Sequence, residues 1–584
     1  MFKGIPFAAP PIGAAGRFAP PKPPAPWQGV RQATEFRHNC IQGSTMNMGW
    51  PQPPSTVSED CLYLNVYAPA SRPTKPVPVL FWIFGGGFQG GGGNETRLNG
   101  TWDVHVQRGE LIIVTHSYRL NLFGFLAAEE LRSRDPAGGT GNYGILDQRA
   151  AMKWTSENIQ AFGGDPSRVF IVGQSAGAAS VSNHLVRKES WPYFSAAGLE
   201  SGAFADGPRG PTVASQEPQY KALLKYLGTH GAPNCTAELQ GVDCVLQQSR
   251  ESLVAANTYF AGAKHKGPVL TADADEYAIG HKSGWWPTVD GVDLVDQGPI
   301  LAAQKKLAPV PVLVGAVRED LAMAADNLPT PPAPPPGKRP PPPPRPCNPS
   351  RCGRADFLEF GASLGFDAHT NEAFAEVYDD DEDGHPPTPP GATDWYWAIR
   401  HAGSDAWGAC PARRMAQWAV AAGQKAFLYY WTHIPDGTNG RAAHHACEQP
   451  FVFHVLSETE AEVRDDRGKY QISKRLICLL VQHESDNDVA VFTDASNPIE
   501  VQLSNQVVDY WAGMARGGSP NSAASAGATA PVHWPEYDPS GAQETMVFGS
   551  GTPSAGMPRG HVRKAKCDFW DAQFAKALAQ HTPP

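Results

Sequence analysis

The sequence predicts an α/β fold: a large, mostly parallel central sheet flanked by helices, with loop insertions. Three observations carry that expectation. Short apolar, β-branched runs alternate with longer helix-compatible stretches along the 584 residues. The runs are continuously apolar, as in strands buried on both faces. One of them ends in a glycine-bracketed serine that opens directly into a helix-forming segment.

Taken in order, the strand expectations are Val77–Phe84, Leu111–Tyr118, Val169–Val172, Val310–Val317 and Ala426–Thr432. Helix-compatible stretches such as Ile145–Phe162 and Ala178–Val186 lie between them, the order expected of a parallel sheet with crossover helices. Residues 329–350 are proline-rich and read as an exposed polyproline II insertion, because proline removes donors and fixes φ. A loop insertion is the plain reading; docking of a proline-reading module is the sharper one. Softer stretches are Tyr378–Thr393, acidic and then rich in Pro and Gly, and 517–531, rich in Ser, Ala and Gly. No internal repeat is evident. The expectation is one catalytic domain spanning 1–584.

Composition narrows the function classes. Hydrophobic residues make up 41% and charged residues 18%, enough apolar material for a large core. The net charge of −10, without a basic block, argues against a nucleic-acid partner. No apolar run approaches the ~20 residues of a membrane span. Ten cysteines and Asn-x-Thr sequons at Asn94, Asn99 and Asn234 fit an oxidising, glycosylating compartment. No charged-then-apolar leader follows Met1.

The chemistry centres on Val169–Gly177, VFIVGQSAG. Gly173-Gln174-Ser175-Ala176-Gly177 between a strand and a helix is a nucleophile elbow, which lifts the Ser175 hydroxyl above the sheet edge at the positive end of the next helix. A serine hydroxyl needs a base, an orienting carboxylate, and donors for the oxyanion of the tetrahedral intermediate. Gly85-Gly86-Gly87-Phe88 follows a predicted strand and reads as the oxyanion loop, with the Ala176 N–H as the third donor.

Glu59–Pro69, EDCLYLNVYAP, and Phe162–Gly177, FGGDPSRVFIVGQSAG, resemble the two signature segments of the type-B carboxylesterase (cholinesterase-like) family of α/β-hydrolases. FKGIPFAAPP near the start, GNYGILDQRAAMKW, YWAGMARGGSPN and WPEYDP extend the resemblance along nearly the whole chain. It implies a serine carboxylic-ester hydrolase working through an acyl-enzyme, without metal or organic cofactor. The family's acid segment, G-x-x-x-[DE]-E-G, aligns with Gly315–Leu321 and puts Asp320 in the acid's place, with Glu319 as the alternative. Leu321 stands where the family has glycine. The base segment, H-x-x-E-x-x-F-x-F, fits His445 to Phe453 and selects His445 over its neighbour His444. The resemblance implies a triad of Ser175, His445 and Asp320 with oxyanion donors Gly86, Gly87 and Ala176. Gln174 stands where many members carry glutamate, which argues against strong selection for cationic choline esters.

The same resemblance implies the bridges Cys40–Cys61, Cys235–Cys244 and Cys410–Cys567, the last worth roughly 4–5 kcal/mol in the chain-entropy model. Cys347–Cys352 is a further pairing at the exit of the proline-rich stretch; Cys447 and Cys478 are left open. Trp50, on the first disulfide loop, falls one residue out of register with the family's cation-binding tryptophan and reads as a plain loop aromatic. The family's segment F-x-G-I-P begins here at Phe2, so the expectation is a truncated N-terminus; the cysteines and sequons set the expectation of a secreted or secretory-pathway protein. The expected partner is a small-molecule carboxylic ester, with a homodimer as an open option. Competing readings are a non-catalytic cholinesterase-like adhesion or scaffold protein and a lipase for long-chain esters. The stretch 454–509 is longer than the family norm and has no assigned role.

Overall fold

The structure is a computed structural model. It describes all residues except 43–56, 95–101, 109, 205–209, 237–238, 263–284, 321–346, 380–390, 435–442, 455–496, 523–531, 550–555 and 580–584. Trp50, Asn99, Cys478, most of the proline-rich stretch and most of 454–509 therefore lie outside the described residues.

Twelve strands are described: β1 (Phe2–Pro6), β2 (Asn39–Cys40), β3 (Val57–Ser58), β4 (Tyr63–Tyr67), β5 (Val77–Ile83), β6 (Ile112–His116), β7 (Gly164–Gln174), β8 (Ala196–Glu200), β9 (Val312–Val317), β10 (Ala426–Trp431), β11 (Thr545–Phe548) and β12 (Met557–Arg559). Ten of them form one sheet in the order β1-β4-β6-β5-β7-β8-β9-β10-β11-β12, and β2 and β3 pair apart from it. From β6 through β11 every neighbouring pair is parallel. Antiparallel pairs close both edges, β1·β4·β6 at one and β11·β12 at the other. This is the mostly parallel α/β sheet that the apolar runs predicted and the α/β-hydrolase architecture that the resemblance implied.

The central strands are buried along almost their whole length because helices cover both faces. β6, β8, β9 and β10 carry only buried residues. The helices Tyr143–Asn158, Ala176–Val186, Cys410–Ala421 and Pro498–Gly517 pack on the sheet.

A second apolar cluster lies beside this core. Phe357, Phe374, Tyr378, Trp397 and Trp570 hold together the helices Arg354–Ser363, Ala368–Tyr378, Asp394–Ser404 and Lys564–Ala579. The Cys410–Cys567 bridge spans 157 residues and fastens the last of these helices beside the start of Cys410–Ala421. Bridges also join Cys40 to Cys61, Cys235 to Cys244 and Cys347 to Cys352. Cys447 is buried.

Candidate active site

The site forms at the C-terminal end of the parallel strands, where open α/β sheets present their ligand crevices. β7 ends at Gln174, and the next helix begins at Ala176. Ser175 between them has φ 59° and ψ −126°, a conformation that costs a non-glycine residue energy and recurs at functional turns. Its N–H donates to Glu200 O at 2.8 Å, and its carbonyl accepts from the Ala179 N–H at 2.9 Å, so both sides of the turn are tied down. The two bracketing glycines have a steric cause. A Cβ on Gly177 would stand 2.0 Å from Ile83 O, and one on Gly173 would stand 2.6 Å from both Ile83 O and Gly177 C. Only glycine lets the helix leave the strand this close to β5.

The glycine loop after β5 lies against the serine: a Cβ on Gly85 would be 2.6 Å from Gln174 O and 3.0 Å from Ser175 Cβ. Gly86 turns the loop by accepting from the N–H groups of Gln89 and Gly90 at 2.9 and 3.1 Å. Gln42, just past the first disulfide cysteine, braces the far side, donating to Gly91 O at 2.9 Å and accepting from its N–H at 3.1 Å. Gly85 and Ala176 therefore lie against Ser175, and Gly86 and Gly87 follow next along the same loop.

β9 leads into Arg318, Glu319 and Asp320. His445 Nδ1 donates to Asp320 Oδ1 at 2.5 Å, with the Asp320 side chain fully buried and the imidazole 21% exposed. That residual exposure leaves one part of the ring open to an incoming molecule. Glu319 takes another direction. Its carboxylate pairs with Arg318, lies 3.3 Å from His401 Nε2 and accepts the Ala443 N–H at 2.7 Å. Its backbone N–H returns the bond to Ala443 O at 3.1 Å, and it forms a bridge with His444. Glu319 thus anchors the segment that carries His445. Burial works to raise its carboxyl, but the Arg318 charge and the His401 bond outweigh that and pull it down to about 2.

Sequence reasoning missed several residues here. Trp407 lies in the π-helical turn Asp405–Ala409 and meets the His445 ring nearly perpendicularly at 4.9 Å. Its neighbour Gly408 makes room for the acid: a Cβ there would be 2.5 Å from Asp320 Oδ2. The turn is held from behind, since Asp405 accepts from Tyr378 Oη at 2.6 Å and pairs with Arg563. Gln174, noted in the sequence as the residue before the nucleophile, contacts the imidazole and is linked to Gln449, which was missed. The hydrogen bonds described for His445 run to Asp320 and Gln174, and none runs to Ser175 Oγ.

Close to Ser175 and Asp320 lie two more carboxyls, Glu200 and Glu448, both fully buried. Burial raises Glu200 to about 8, against a 2.7 Å bond from Trp511 Nε1–H. Burial also raises Glu448 well above the carboxylate range, reinforced by the negative charges of Glu200 and Asp320. No signal short of tertiary structure joins Glu200, at the end of β8, to Glu448.

The carboxylesterase family model matches residues 1–570. The chain belongs to the carboxylesterase family. It is 29% identical to an acetylcholinesterase of Bungarus fasciatus over 99% of this chain and 83% of the relative. Against acetylcholinesterase 1 of Caenorhabditis briggsae the identity is 31%, over 99% of this chain and 85% of the relative. A fumonisin B1 esterase of Sphingopyxis macrogoltabida matches over a shorter span, 36% identical across 48% of this chain and 50% of its own length. Membership of this carboxylesterase family carries the ester-hydrolase class; substrate and residue roles are a further step.

Proposed function

We propose that this carboxylesterase-family chain hydrolyses small carboxylic esters through an acyl-enzyme on Ser175. His445 Nε2 takes the serine proton as the hydroxyl oxygen attacks the ester carbonyl, while Nδ1–H remains on Asp320, which orients the ring and offsets its developing charge. The N–H groups of Gly86, Gly87 and Ala176 receive the oxyanion. His445 then protonates the departing alcohol. In the second half, water gives a proton to His445 as its oxygen attacks the acyl carbon, and His445 returns that proton to the departing Ser175 oxygen, releasing the acid and restoring the free enzyme.

The observation that carries this reading is the 2.5 Å contact between His445 and Asp320, on an imidazole that Gln174, the residue before the strained Ser175 turn, also touches. Its four cysteine bridges suit an oxidising compartment, and we assign the chain to the secretory pathway on that ground. The test is intact-mass analysis after exposure to a fluorophosphonate. One stoichiometric adduct, absent in Ser175→Ala, is expected together with loss of esterase turnover in that variant. Folded wild-type protein that takes up no adduct, or a Ser175→Ala variant with full esterase activity, would sink the assignment.

A further inference from the structure

Gln174 and Gln449 have no part in the scheme above, yet Gln174 makes the one polar contact to His445 besides Asp320 among the described residues, and Gln449 holds it. Gln174 Nε2 is 3.1 Å from His445 Nε2 and 3.5 Å from Nδ1. A donor aimed along the in-plane lone pair of one ring nitrogen would lie far from the other nitrogen. Nearly equal distances put this amide over the face of the imidazole. The contact is an N–H resting on a π cloud, a weak interaction that leaves the in-plane position at Nε2 open for the serine.

The other end of the amide is held. Gln174 Oε1 accepts from Gln449 Nε2 at 3.1 Å. Gln449 Oε1 is buried with no hydrogen-bond partner among the described residues. Both side chains are nearly inaccessible, at 3% and 4% exposure. A buried amide oxygen left unpaired is costly unless another arrangement uses it.

We infer that Gln174 and Gln449 form a reversing amide pair that follows the charge of the His445 ring. This rests on His445 acting as the base. While the ring is neutral, the Gln174 N–H end faces its π cloud and the oxygen end is bound by Gln449. Once the ring has accepted the Ser175 proton it is a cation, which repels the N–H end and attracts the oxygen. A half-turn of the terminal torsion of Gln174 exchanges the two ends in place, since amide O and N are nearly isosteric. Gln174 Nε2 then points at Gln449. A matching half-turn of Gln449 brings its Oε1, the atom now unpaired, into position to accept. One Gln–Gln hydrogen bond exists before and after, so reversal loses no bond. The added term is an ion–dipole attraction present only while the imidazolium exists, which is the kind of interaction that lowers a barrier without tightening substrate binding. Gln449, which does not touch the ring, is a positioning residue.

The test uses the full chain and steady-state hydrolysis of p-nitrophenyl acetate. Gln449→Leu is expected to lower kcat on the order of ten-fold, with KM within about two-fold, as for loss of a bond made to a charged group. Gln174→Leu should fall by a similar factor, and the double Leu variant no further, because the two amides act as one unit. Gln174→Glu supplies a fixed negative oxygen that needs no reversal. In that background Gln449→Leu should change kcat by less than about two-fold, an outcome that a general packing defect at Gln449 would not give. Unchanged kcat in Gln449→Leu overturns the inference. So do multiplicative losses in the double Leu variant, or a Gln449→Leu loss that is the same with and without Gln174→Glu. Retained activity in Ser175→Ala would instead remove the catalytic reading beneath it.

Discussion

Asp320 Oδ1 meets His445 Nδ1 at 2.5 Å, while Glu319, its neighbour in the chain, turns to Arg318, His401 and the Ala443 N–H. Two adjacent carboxylates divide the work: one contacts the imidazole and the other secures the strand-like segment that delivers it. The division is steric as well as electrostatic. Asp320 is the shorter acid, and Gly408 leaves just enough space for its outer oxygen.

Asp320→Asn is expected to reduce kcat by about 10⁴-fold with folding intact, because an amide favours the wrong imidazole tautomer. Gly408→Ala tests the same contact from the other side. Its methyl would push Asp320 Oδ2 off its position, so kcat should fall about ten-fold or more while KM changes little. Asp320→Glu should also lose activity, since the added methylene meets the space that Gly408 only just provides. Stopped-flow and steady-state kinetics on the three variants check this. A fully active Gly408→Ala enzyme would show that the Asp320 position tolerates displacement.

How much of this was legible beforehand follows from where each signal resides. β5, β6, β9 and β10 are apolar runs readable as strands, with ends one or two residues shorter than expected, whereas β7 extends the expected Val169–Val172 to Gly164–Gln174. β8, Ala-Ala-Gly-Leu-Glu, lacks β-branched residues and is a strand only because β7 and β9 pair with it from both sides. The edge strands β1 and β12 are short and contain proline, which suits a sheet edge but resembles a loop in sequence. At the site, Ser175 announced itself through local turn chemistry, and His445 only through the family's base segment, by its register to Glu448 and Phe451. Trp407, Gly408 and Gln449 carry no local mark. They matter because a π-helical turn and a short helix bring Trp407 to the imidazole, Gly408 to Asp320 and Gln449 to Gln174, a consequence of packing between distant segments.

Glu319→Gln should cost stability rather than chemistry. Removing the acid from its buried ion pair with Arg318 is worth a loss of about 3–5 kcal/mol. The pH dependence has a definite sign. The folded carboxyl sits at about 2, below its ordinary 4.5, so its contribution is fully present above about 4.5. It is lost as pH falls from there toward 2. Urea midpoints between pH 6 and pH 3 should decline more steeply for the wild type than for Glu319→Gln. Parallel declines would mean that another carboxylate controls acid unfolding.

Glu200 should act in the opposite direction. Burial raises its folded carboxyl to about 8 from 4.5, so the folded state holds a proton that the unfolded chain releases. Stability therefore falls as pH rises through the interval from about 4.5 to 8, because the unfolded state binds fewer protons there. Glu200→Gln keeps the shape and the oxygen that accepts from Trp511 Nε1–H, and it removes the titration. The variant is expected to match the wild type near pH 5 and to exceed it in urea midpoint at pH 8. The Trp511 bond opposes the shift, so Trp511→Phe should deepen the wild-type decline by leaving the ionised carboxylate without its donor. Chemical denaturation of the three proteins at pH 5, 6.5 and 8 decides the matter. A wild type that gains stability across that range would place the Glu200 proton elsewhere. The buried acid beside Ser175 would then be an anion held by groups other than Trp511.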